Sequence, residues 1–151
     1  MRGVASEKRK QKVLFLCTGN ACRSQMAEGW ARHLLADRLE AHSAGIEPKG
    51  LDPRAVRVMA EAGVDISAQR SKHVREVMDL PLDFVVTVCD HAREQCPFFP
   101  GGAKMIHAGF EDPAAAQGTE EEVLALFRRV RDALRRFVEG LPDALERSAK
   151  G

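Results

Sequence analysis

Residues 13–24 read VLFLCTGNACRS, and this stretch decides the fold of the chain. Its first five residues form a continuous apolar run, which is typical of a strand buried on both faces of a parallel sheet. The run ends in a Gly-Asn turn, and from Ser24 to about Asp37 apolar residues recur at helical spacing. The stretch therefore predicts a buried strand, a tight loop and a helix in direct succession.

The rest of the chain continues this alternation of strands and helices. Apolar and β-branched runs predict three more strands, at residues 41–44, 84–88 and 104–108. Helices are predicted from Pro53 to Gly63, briefly after Ser71, and after the capping box that Thr119 forms with Glu122. These elements predict an α/β domain, a three-layer sandwich with a four-stranded parallel sheet flanked by helices.

Length and composition agree with one globular domain. The chain has 151 residues, of which 44% are hydrophobic and 30% charged, so a disordered chain is excluded. No apolar run approaches the roughly 20 residues of a membrane-spanning helix. A net charge of +1 gives no field that would attract nucleic acid or a membrane surface. We expect a mobile basic tail at residues 1–12, the domain at 13–140 and a C-terminal tail at 141–151.

The use of cysteine indicates a reducing compartment. The apolar stretch after the basic start is shorter than the roughly 7–15 residues of a signal-peptide core, so we expect a cytoplasmic protein with reduced thiols. The spacing of the cysteines matches no common zinc motif, and the five histidines show no ligand-like pairing, so we predict no metal site. The four cysteines are Cys17, Cys22, Cys89 and Cys96.

The loop at residues 17–24 has the pattern C-x5-R-S between a strand and a helix. Such a loop turns backbone N–H groups inward at a helix N-terminus, where an oxyanion is stabilised. Arg23 adds a planar bidentate donor, the positive field favours the thiolate of Cys17, and the Ser24 hydroxyl is placed to hydrogen-bond that sulfur. We interpret Cys17 as a nucleophile and Cys22 as a small buried thiol that shapes the loop.

Two more loops with reactive side chains follow predicted strands. Parallel sheets bind ligands beyond the carboxyl ends of their strands, so we expect these loops to lie at the same edge of the sheet as the first loop. Asp112, followed by a proline, is a candidate general acid, and Glu111 is its adjacent competitor. Cys89 directly follows a predicted strand, and Cys96 lies one polar segment further on. Three thiols around one site can relay a disulfide by successive thiolate attacks; in the alternative, Cys89 and Cys96 only pack in the interior.

Taken together, these motifs resemble the thioredoxin-coupled arsenate reductases, which share their fold with low-molecular-weight protein tyrosine phosphatases. The resemblance rests on the stretch CTGNACRSQMAEGW at residues 17–30, on the Cys89/Cys96 pair and on Asp112 with its proline. It extends from about Val13 to Val138, nearly the whole predicted domain. It implies a low-molecular-weight phosphatase-like fold and an enzyme of arsenic detoxification.

The resemblance also implies a mechanism. Arsenate binds in the loop, Cys17 attacks arsenic and Asp112 protonates the departing oxygen. Cys89 then attacks Cys17 and releases arsenite, Cys96 attacks Cys89, and thioredoxin reduces the resulting Cys89–Cys96 disulfide. The electrons come from thiols, so no bound metal or organic cofactor is implied, and we expect a monomer. The implied substrate-binding residues are Thr18, Gly19, Asn20, Ala21, Cys22, Arg23 and Ser24.

The chain departs from the family at a potassium site. Some members bind potassium beside the loop at positions that correspond to Asn20, Glu28, Ser43 and an aspartate, whose place Lys72 takes here. We expect the ammonium group of Lys72 to replace the cation, to hold Asn20 and Glu28, and to make potassium unnecessary. A second departure is Ala108, which stands where a tryptophan often precedes the acid loop.

Two other functions stay open at this point. A low-molecular-weight protein tyrosine phosphatase would hold phosphate in the same loop. Against it, Gln25 stands where phosphatases usually have proline, and the chain contains no tyrosine. A weak side activity on aryl phosphates is still expected. The other alternative is a non-enzymatic thiol sensor or oxyanion-binding module, which would need no proton donor such as Asp112.

Overall fold

The centre of the fold is a sheet of four parallel strands. The computed structural model describes residues 10–99 and 101–150, and the strands are β1 (Gln11–Cys17), β2 (Leu39–Gly45), β3 (Phe84–Thr87) and β4 (Lys104–His107). Their order is β2-β1-β3-β4, so β1 is a central strand. Residues 13–17 of β1 are at most 2% exposed. Because successive side chains of a strand point to opposite faces, both faces of β1 are covered, as the apolar run predicts.

Helices flank this sheet. The described residues form α1 (Arg23–Leu34), α2 (Pro53–Glu61), α3 (Asp90–Glu94), α4 (Glu120–Glu139) and α5 (Leu141–Lys150), with short 3-10 turns at Val74–Val77 and Pro113–Ala115. α1 packs against β2 and α4. Trp30 of α1 is buried there, and its indole nitrogen donates to the carbonyl group of Arg131 at 3.0 Å. The predicted three-layer α/β architecture is confirmed. None of the described helices is long and apolar enough to cross a membrane.

Local sequence signals set the ends of the helices. Asp52 caps α2 by accepting a hydrogen bond from the amide of Arg54, and Pro53 occupies the first helical position. Thr119 and Glu122 form the predicted capping box of α4, with reciprocal bonds of 3.2 and 2.9 Å. α1 ends at Leu34, three residues before the predicted end, and the helix predicted after Ser71 is the 3-10 turn at Val74–Val77.

The register of the sheet brings the strand ends to one edge. Cys17 at the end of β1 lies opposite Gly45 of β2, and Thr87 at the end of β3 lies opposite His107 of β4. The loops that follow all four strands therefore leave from this edge. The sequence analysis predicts the loops with the thiols and the acid at one edge, and the register confirms that these loops leave from that edge.

The predicted N-terminal boundary is wrong by two residues. β1 begins at Gln11, and both Gln11 and Lys12, predicted to be part of the tail, pair with residues of β2. The reason is that pairing with Leu39 and Glu40 satisfies backbone groups that a sequence pattern cannot locate. Residues 1–9 of the predicted tail lie outside the described part of the chain.

The predicted C-terminal tail, residues 141–151, is instead a helix over its described part. In α5 the side chains of Leu141 and Leu145 are buried. Their spacing of four residues places them on one face of the helix. Proline is compatible with the first turn of a helix, so Pro142 does not prevent α5 from forming. The packed unit therefore extends beyond residue 140.

We expect Leu141→Ala to lower the free energy of unfolding by about 2–5 kcal/mol, because the substitution removes a fully buried side chain and leaves a cavity. Arg147→Ala, an exposed position of the same helix, should change it by less than about 0.5 kcal/mol. Urea denaturation followed by the fluorescence of Trp30 measures both. Equal effects of the two substitutions would show that α5 does not pack on the domain.

Candidate active site

The loop at residues 17–23 wraps around the sulfur atom of Cys17. Its turn is made at Asn20, whose φ of 46° is the one positive φ of a non-glycine residue in the described ranges. Asparagine tolerates this left-handed conformation better than most residues. In this conformation the backbone amide of Asn20 donates to Cys17 Sγ at 3.2 Å. A donor aimed at the sulfur favours the thiolate.

A chain of hydrogen bonds orients a second donor to the same sulfur. The amide of Lys72 donates to Asn20 Oδ1 at 2.9 Å, and Asn20 Nδ2 donates to Ser24 Oγ at 2.7 Å. Because Ser24 Oγ accepts that proton, its own hydroxyl proton is free to point at Cys17 Sγ, 2.8 Å away. The predicted contact of Ser24 with Cys17 is confirmed, and its direction follows from the chain.

Gln25 supports this chain of hydrogen bonds at Asn20. Its Nε2 donates to Asn20 Oδ1 at 3.1 Å and to the Asn20 carbonyl group at 3.0 Å. Gln69 Nε2 in turn donates to Gln25 Oε1 at 2.8 Å. Gln25 is fully buried, so the residue that the sequence marked as a departure from phosphatases supports the left-handed turn at Asn20.

The carbonyl groups of the loop are bound by the segment that follows β2. Four of them accept backbone hydrogen bonds of 2.8–3.2 Å from this segment. Because these carbonyl groups are occupied by protein, the loop presents its amides, and not its carbonyl groups, to the cleft. The pairs, carbonyl first, are Cys17 with Ile46, Thr18 with Glu47, Gly19 with Lys49, and Ala21 with Asp52.

Arg23 closes the loop. Its Nη1 donates to the carbonyl group of Phe110 at 3.1 Å, and its Nη2 lies 3.5 Å from Asp112 Oδ2. Its Nε is buried and has no hydrogen-bond acceptor among the described residues. A buried N–H without an acceptor is costly, and a tetrahedral oxyanion bound in the loop would supply one.

One cleft of about 370 Å³ brings together Cys17, most of its loop and Asp112. It is lined by the loop, by Arg23 and by Asp112 with the two alanines that follow Pro113. It is also lined by Lys49, which the sequence analysis missed. Lys49 comes from the loop after β2, which leaves from the same sheet edge, so the rule that located the other loops could have found it.

Asp112, and not Glu111, belongs to the cleft. Asp112 Oδ1 accepts a hydrogen bond from the amide of Ala114 at 3.0 Å, which fixes the carboxyl group at the start of a 3-10 turn. The side chain is 39% exposed, so it can exchange protons with water. Glu111 lies 3.7 Å from Arg129 on the surface. The choice made between these two carboxyl groups agrees with their positions.

Cys89 contacts the loop, whereas Cys96 lines a different cavity. Cys89 Sγ is 3.4 Å from Thr18 Oγ1 and accepts a hydrogen bond from the amide of Ala92 at 3.3 Å. Cys96 lines a groove of about 620 Å³, bounded by α3 and β4, and burial raises its pKa. All four cysteines are free thiols. Cys89 thus lies beside the loop of Cys17 and Cys96 lines another groove, and the expected Cys17–Cys89 and Cys89–Cys96 disulfides stay predictions.

Cys22 is protonated at physiological pH. Burial, and after it the negative charge of Asp112, raise the pKa of Cys22 to about 12. Its Sγ lies 3.9 Å from Asp112 Oδ1. A thiol that keeps its proton is a poor nucleophile. This favours the interpretation of Cys22 as a residue that shapes the loop.

The cluster around Lys72 differs from the predicted one. Lys72 Nζ donates to the carbonyl groups of Ser43 and Arg70, at 2.9 and 3.0 Å, and not to Asn20 or Glu28. Burial lowers the pKa of Lys72, and the charge of Glu28 opposes this effect. Asn20 is held by the backbone amide of Lys72 instead of its ammonium group, because Asn20 Oδ1 lies beside the main chain.

The carboxylate of Glu28 has its own partners. Ser43 Oγ donates to Glu28 Oε1 at 2.5 Å, and Arg32 Nε lies 2.7 Å from Glu28 Oε2. Glu28 is 3% exposed, so these partners stabilise a charge that would otherwise be costly to bury. Among the described residues no group of histidine, cysteine, aspartate and glutamate side chains could hold a metal ion.

The sequence of this chain is similar to those of known proteins. The family described as low molecular weight phosphotyrosine protein phosphatase matches residues 12–150. The chain belongs to this family. A protein named arsenate reductase from Bacillus subtilis strain 168 is 53% identical over 122 residues, which cover 81% of this chain and 88% of that protein. Another, from Halalkalibacterium halodurans, is 50% identical over 125 residues, 83% of this chain and 90% of that protein.

Solved structures of the family have the same fold. An arsenate reductase in the phosphate binding state matches with a TM-score of 0.71 and 33% identity, covering 89% of this chain and 98% of that chain. The low molecular weight protein tyrosine phosphatase from T. tengcongensis matches with a TM-score of 0.73 and 30% identity, covering 89% of this chain and 99% of that chain. The resemblance predicted from the three motifs, the phosphatase-like fold and the expectation of an enzyme are confirmed.

Gly45 is a second residue that the sequence analysis did not assign to the site. A Cβ atom at this position would lie 2.7 Å from the Thr18 carbonyl oxygen and 2.8 Å from the Asn20 amide nitrogen. We therefore expect Gly45→Ala to displace the loop and to weaken the binding of inorganic phosphate by about tenfold or more, since small misplacements of a binding loop are costly. Isothermal titration measures the affinity.

The matched control is Gly101→Ala, because nothing lies within 4 Å of a Cβ atom there. This variant should bind phosphate like the unmodified protein. Thermal denaturation of both variants separates a displaced loop from a failure to fold. Unchanged phosphate affinity in folded Gly45→Ala would contradict the role assigned to the close approach of β2.

Proposed function

We propose that this protein reduces arsenate to arsenite through Cys17, Cys89 and Cys96, and that reduced thioredoxin regenerates it. The observation that carries the proposal is the position of Cys89, whose sulfur lies 3.4 Å from Thr18 Oγ1 at the rim of the loop around Cys17. The relatives named arsenate reductase support arsenate as the substrate. A phosphatase has no use for a second thiol at this place.

In the first step the Cys17 thiolate attacks the arsenic atom of arsenate held by the loop amides and Arg23. The sulfur–arsenic bond forms and one arsenate oxygen departs as water after protonation by Asp112. Asp112 is the group suited to this role because its carboxyl group lies in the cleft and remains in contact with solvent. The negative charge of the oxyanion is stabilised by donors that need no reorganisation.

In the second step the thiolate of Cys89 attacks the sulfur of Cys17. A disulfide forms, the sulfur–arsenic bond breaks, and its electron pair stays on arsenic, which leaves as arsenite. In the third step Cys96 attacks Cys89 and frees Cys17 for another cycle. Because burial raises the pKa of Cys96, this thiol becomes a good nucleophile only when the segment between the two cysteines opens.

A protein reductant fits the surroundings of Cys96. The groove that contains Cys96 is mainly apolar, and at its rim Phe98 is 81% exposed and Met105 is 51% exposed. Exposed apolar side chains around a reactive group are typical of a surface that contacts another protein. These features support thioredoxin as the electron donor. The free thiols fit a reducing compartment such as the cytoplasm. We also propose a cytoplasmic location and a monomeric state.

Hydrolysis of aryl phosphates is proposed as a weak side activity. Phosphate and arsenate are similar tetrahedral anions, and the nucleophile, Arg23 and Asp112 would serve both. The two residues after Pro113 are alanines, so the cleft lacks an aromatic wall that would bind a phenyl ring. This activity provides an assay of the loop that does not need Cys89 or Cys96.

We further propose that the enzyme needs no potassium. The ammonium group of Lys72 lies against the carbonyl groups of Ser43 and Arg70, where it supplies a positive charge near the carboxylate of Glu28. Carbonyl oxygens that already accept hydrogen bonds from an ammonium group are poorly placed to bind a second cation.

The relay is tested by arsenate-dependent oxidation of NADPH with thioredoxin and thioredoxin reductase. We expect Cys17→Ser, Cys89→Ser and Cys96→Ser each to reduce steady-state turnover by at least about a hundredfold, because each step needs its own thiol. Hydrolysis of an aryl phosphate should be lost in Cys17→Ser and retained in Cys89→Ser and Cys96→Ser. Asp112→Asn should slow both reactions, because it removes the proton donor. A sensor module needs no proton donor, so the substitution would not affect its function.

Other outcomes would identify other functions. Full turnover in Cys89→Ser or Cys96→Ser would contradict the relay. Aryl phosphate hydrolysis without any arsenate reduction would make the protein a phosphatase. Neither activity, together with tight oxyanion binding that Asp112→Asn leaves unchanged, would favour a sensor or binding module.

Replacing sodium by potassium at constant ionic strength should change the KM for arsenate by less than about twofold, because the ammonium group of Lys72 supplies the charge near Glu28. Lys72→Asp should make the KM fall on addition of potassium, because a carboxylate beside the same carbonyl groups attracts a cation. Steady-state kinetics in sodium and potassium chloride measure both. A several-fold potassium effect on the unmodified enzyme would contradict the proposal.

A further inference from the structure

The hydroxyl group of Thr18 connects a thiol of the relay to a histidine. Thr18 Oγ1 lies 3.4 Å from Cys89 Sγ on one side and 2.9 Å from His91 Nδ1 on the other. His91 is exposed, Thr18 is partly buried and Cys89 is buried. The three groups form a line from the interior of the site to solvent.

This arrangement has the polarity of a proton relay. A threonine hydroxyl can donate one proton and accept others, and the nitrogen of a neutral imidazole that carries no proton is an acceptor. Thr18 therefore can accept from the thiol of Cys89 while it donates to His91 Nδ1. The amide of Ala92 donates to Cys89 Sγ at 3.3 Å, and this bond stabilises the sulfur after it has lost its proton.

We propose that His91 receives, through the hydroxyl group of Thr18, the proton of the Cys89 thiol and so prepares this thiol to attack Cys17. The inference rests on the proposed function, because it concerns the second step of the relay. His91 is a positioning residue that acts through Thr18 and touches neither arsenate nor the Cys17–arsenic bond. The other four histidines do not share this setting: His33 contacts Trp30, and His42, His73 and His107 bond to Glu40, Arg75 and Thr87.

The step balances in protons and electrons. The Cys89 S–H proton moves to Thr18 Oγ1 as the hydroxyl proton moves to His91 Nδ1, leaving a thiolate and an imidazolium. The thiolate then forms the bond to Cys17 Sγ, the sulfur–arsenic bond breaks, and arsenic is reduced by the electron pair that it retains. The imidazolium returns its proton to water or to the departing arsenite, because the ring is exposed.

Contacts of Asp90 fix the start of α3, the helix that carries His91. Asp90, which begins α3, lies 3.0 Å from His107 Nε2 and 3.7 Å from Arg93 Nη2. His107 Nδ1 in turn bonds to Thr87 Oγ1 at 2.8 Å. The start of α3 is therefore fastened to β3 and β4. The charged neighbours of His91 within α3 are Asp90, Arg93 and Glu94, and Cys89 lies across Thr18 from its ring.

The test is His91→Asn, which keeps a hydrogen-bonding group near the place of Nδ1 but cannot take up a proton at neutral pH. In a single turnover with arsenate and no thioredoxin, we expect formation of the Cys17–Cys89 disulfide to slow by about tenfold near pH 7, because the variant offers no base for the Cys89 proton. The difference should shrink toward pH 9, where solvent removes the thiol proton. Aryl phosphate hydrolysis, which does not use Cys89, should be unchanged.

Two further variants define the pathway. Thr18→Val should slow disulfide formation like His91→Asn, whereas Thr18→Ser, which keeps the hydroxyl group, should recover most of the rate that Thr18→Val loses. His33→Asn is the matched control, because His33 is an exposed histidine of α1 that contacts Trp30 and no thiol. It should leave both the rate and its pH profile unchanged.

Equal single-turnover rates and pH profiles for His91→Asn and the unmodified protein would overturn the inference. Slowing that is the same at pH 7 and pH 9 would also overturn it, since a merely structural role predicts a loss independent of pH. Failure of the relay itself gives a different result, because Cys89→Ser would then still turn over. A normal His91→Asn beside an inactive Cys89→Ser would leave the relay standing and remove only the role of His91.

Discussion

The close approach of β2 to the loop at residues 17–23 is the constraint on which the site depends. A Cβ atom at Gly45 would collide with the loop, so glycine at this position lets the end of β2 come close to it. Residues 46–52, which follow β2, can then bind the loop carbonyl groups. With those carbonyl groups bound from outside, the loop turns at Asn20 and aims an amide and the Ser24 hydroxyl at Cys17 Sγ. A site for an anion thus arises from the pairing of backbone groups.

The parts of the fold that sequence predicted are those set by local signals. The apolar run of β1, the proline that starts α2 and the capping box of α4 each act within a few residues, and each lies where it was expected. α5 was missed because the burial of Leu141 depends on the rest of the domain, which a local pattern does not show. The partners of Lys72 and the approach of Gly45 were missed for the same reason, since both join segments distant in sequence.

The site residues were easier to predict than their contacts. Cys17, Arg23 and Asp112 line one cleft as expected, because parallel strands deliver their loops to one edge. Cys96 faces another groove, and α3 separates it from Cys89. α3 has five residues, of which Ala92 alone is buried, so little apolar burial opposes its local unfolding. α3, which lies between Cys89 and Cys96 in the chain, is therefore one of the least stabilised of the described elements.

Thr18 lies at the point of the site where the chemistry of reduction differs from that of hydrolysis. The cleft around Cys17 would bind phosphate and arsenate alike, and attack by its thiolate is common to both. Phosphorus has no accessible lower oxidation state here, so a covalent phosphate can only be hydrolysed, whereas arsenic can accept an electron pair when a second sulfur attacks Cys17. Thr18 Oγ1 touches that second sulfur and His91 at once, while its main chain belongs to the anion-binding loop. Thr18 thereby links the anion-binding loop to the second thiol that the proposed reduction uses.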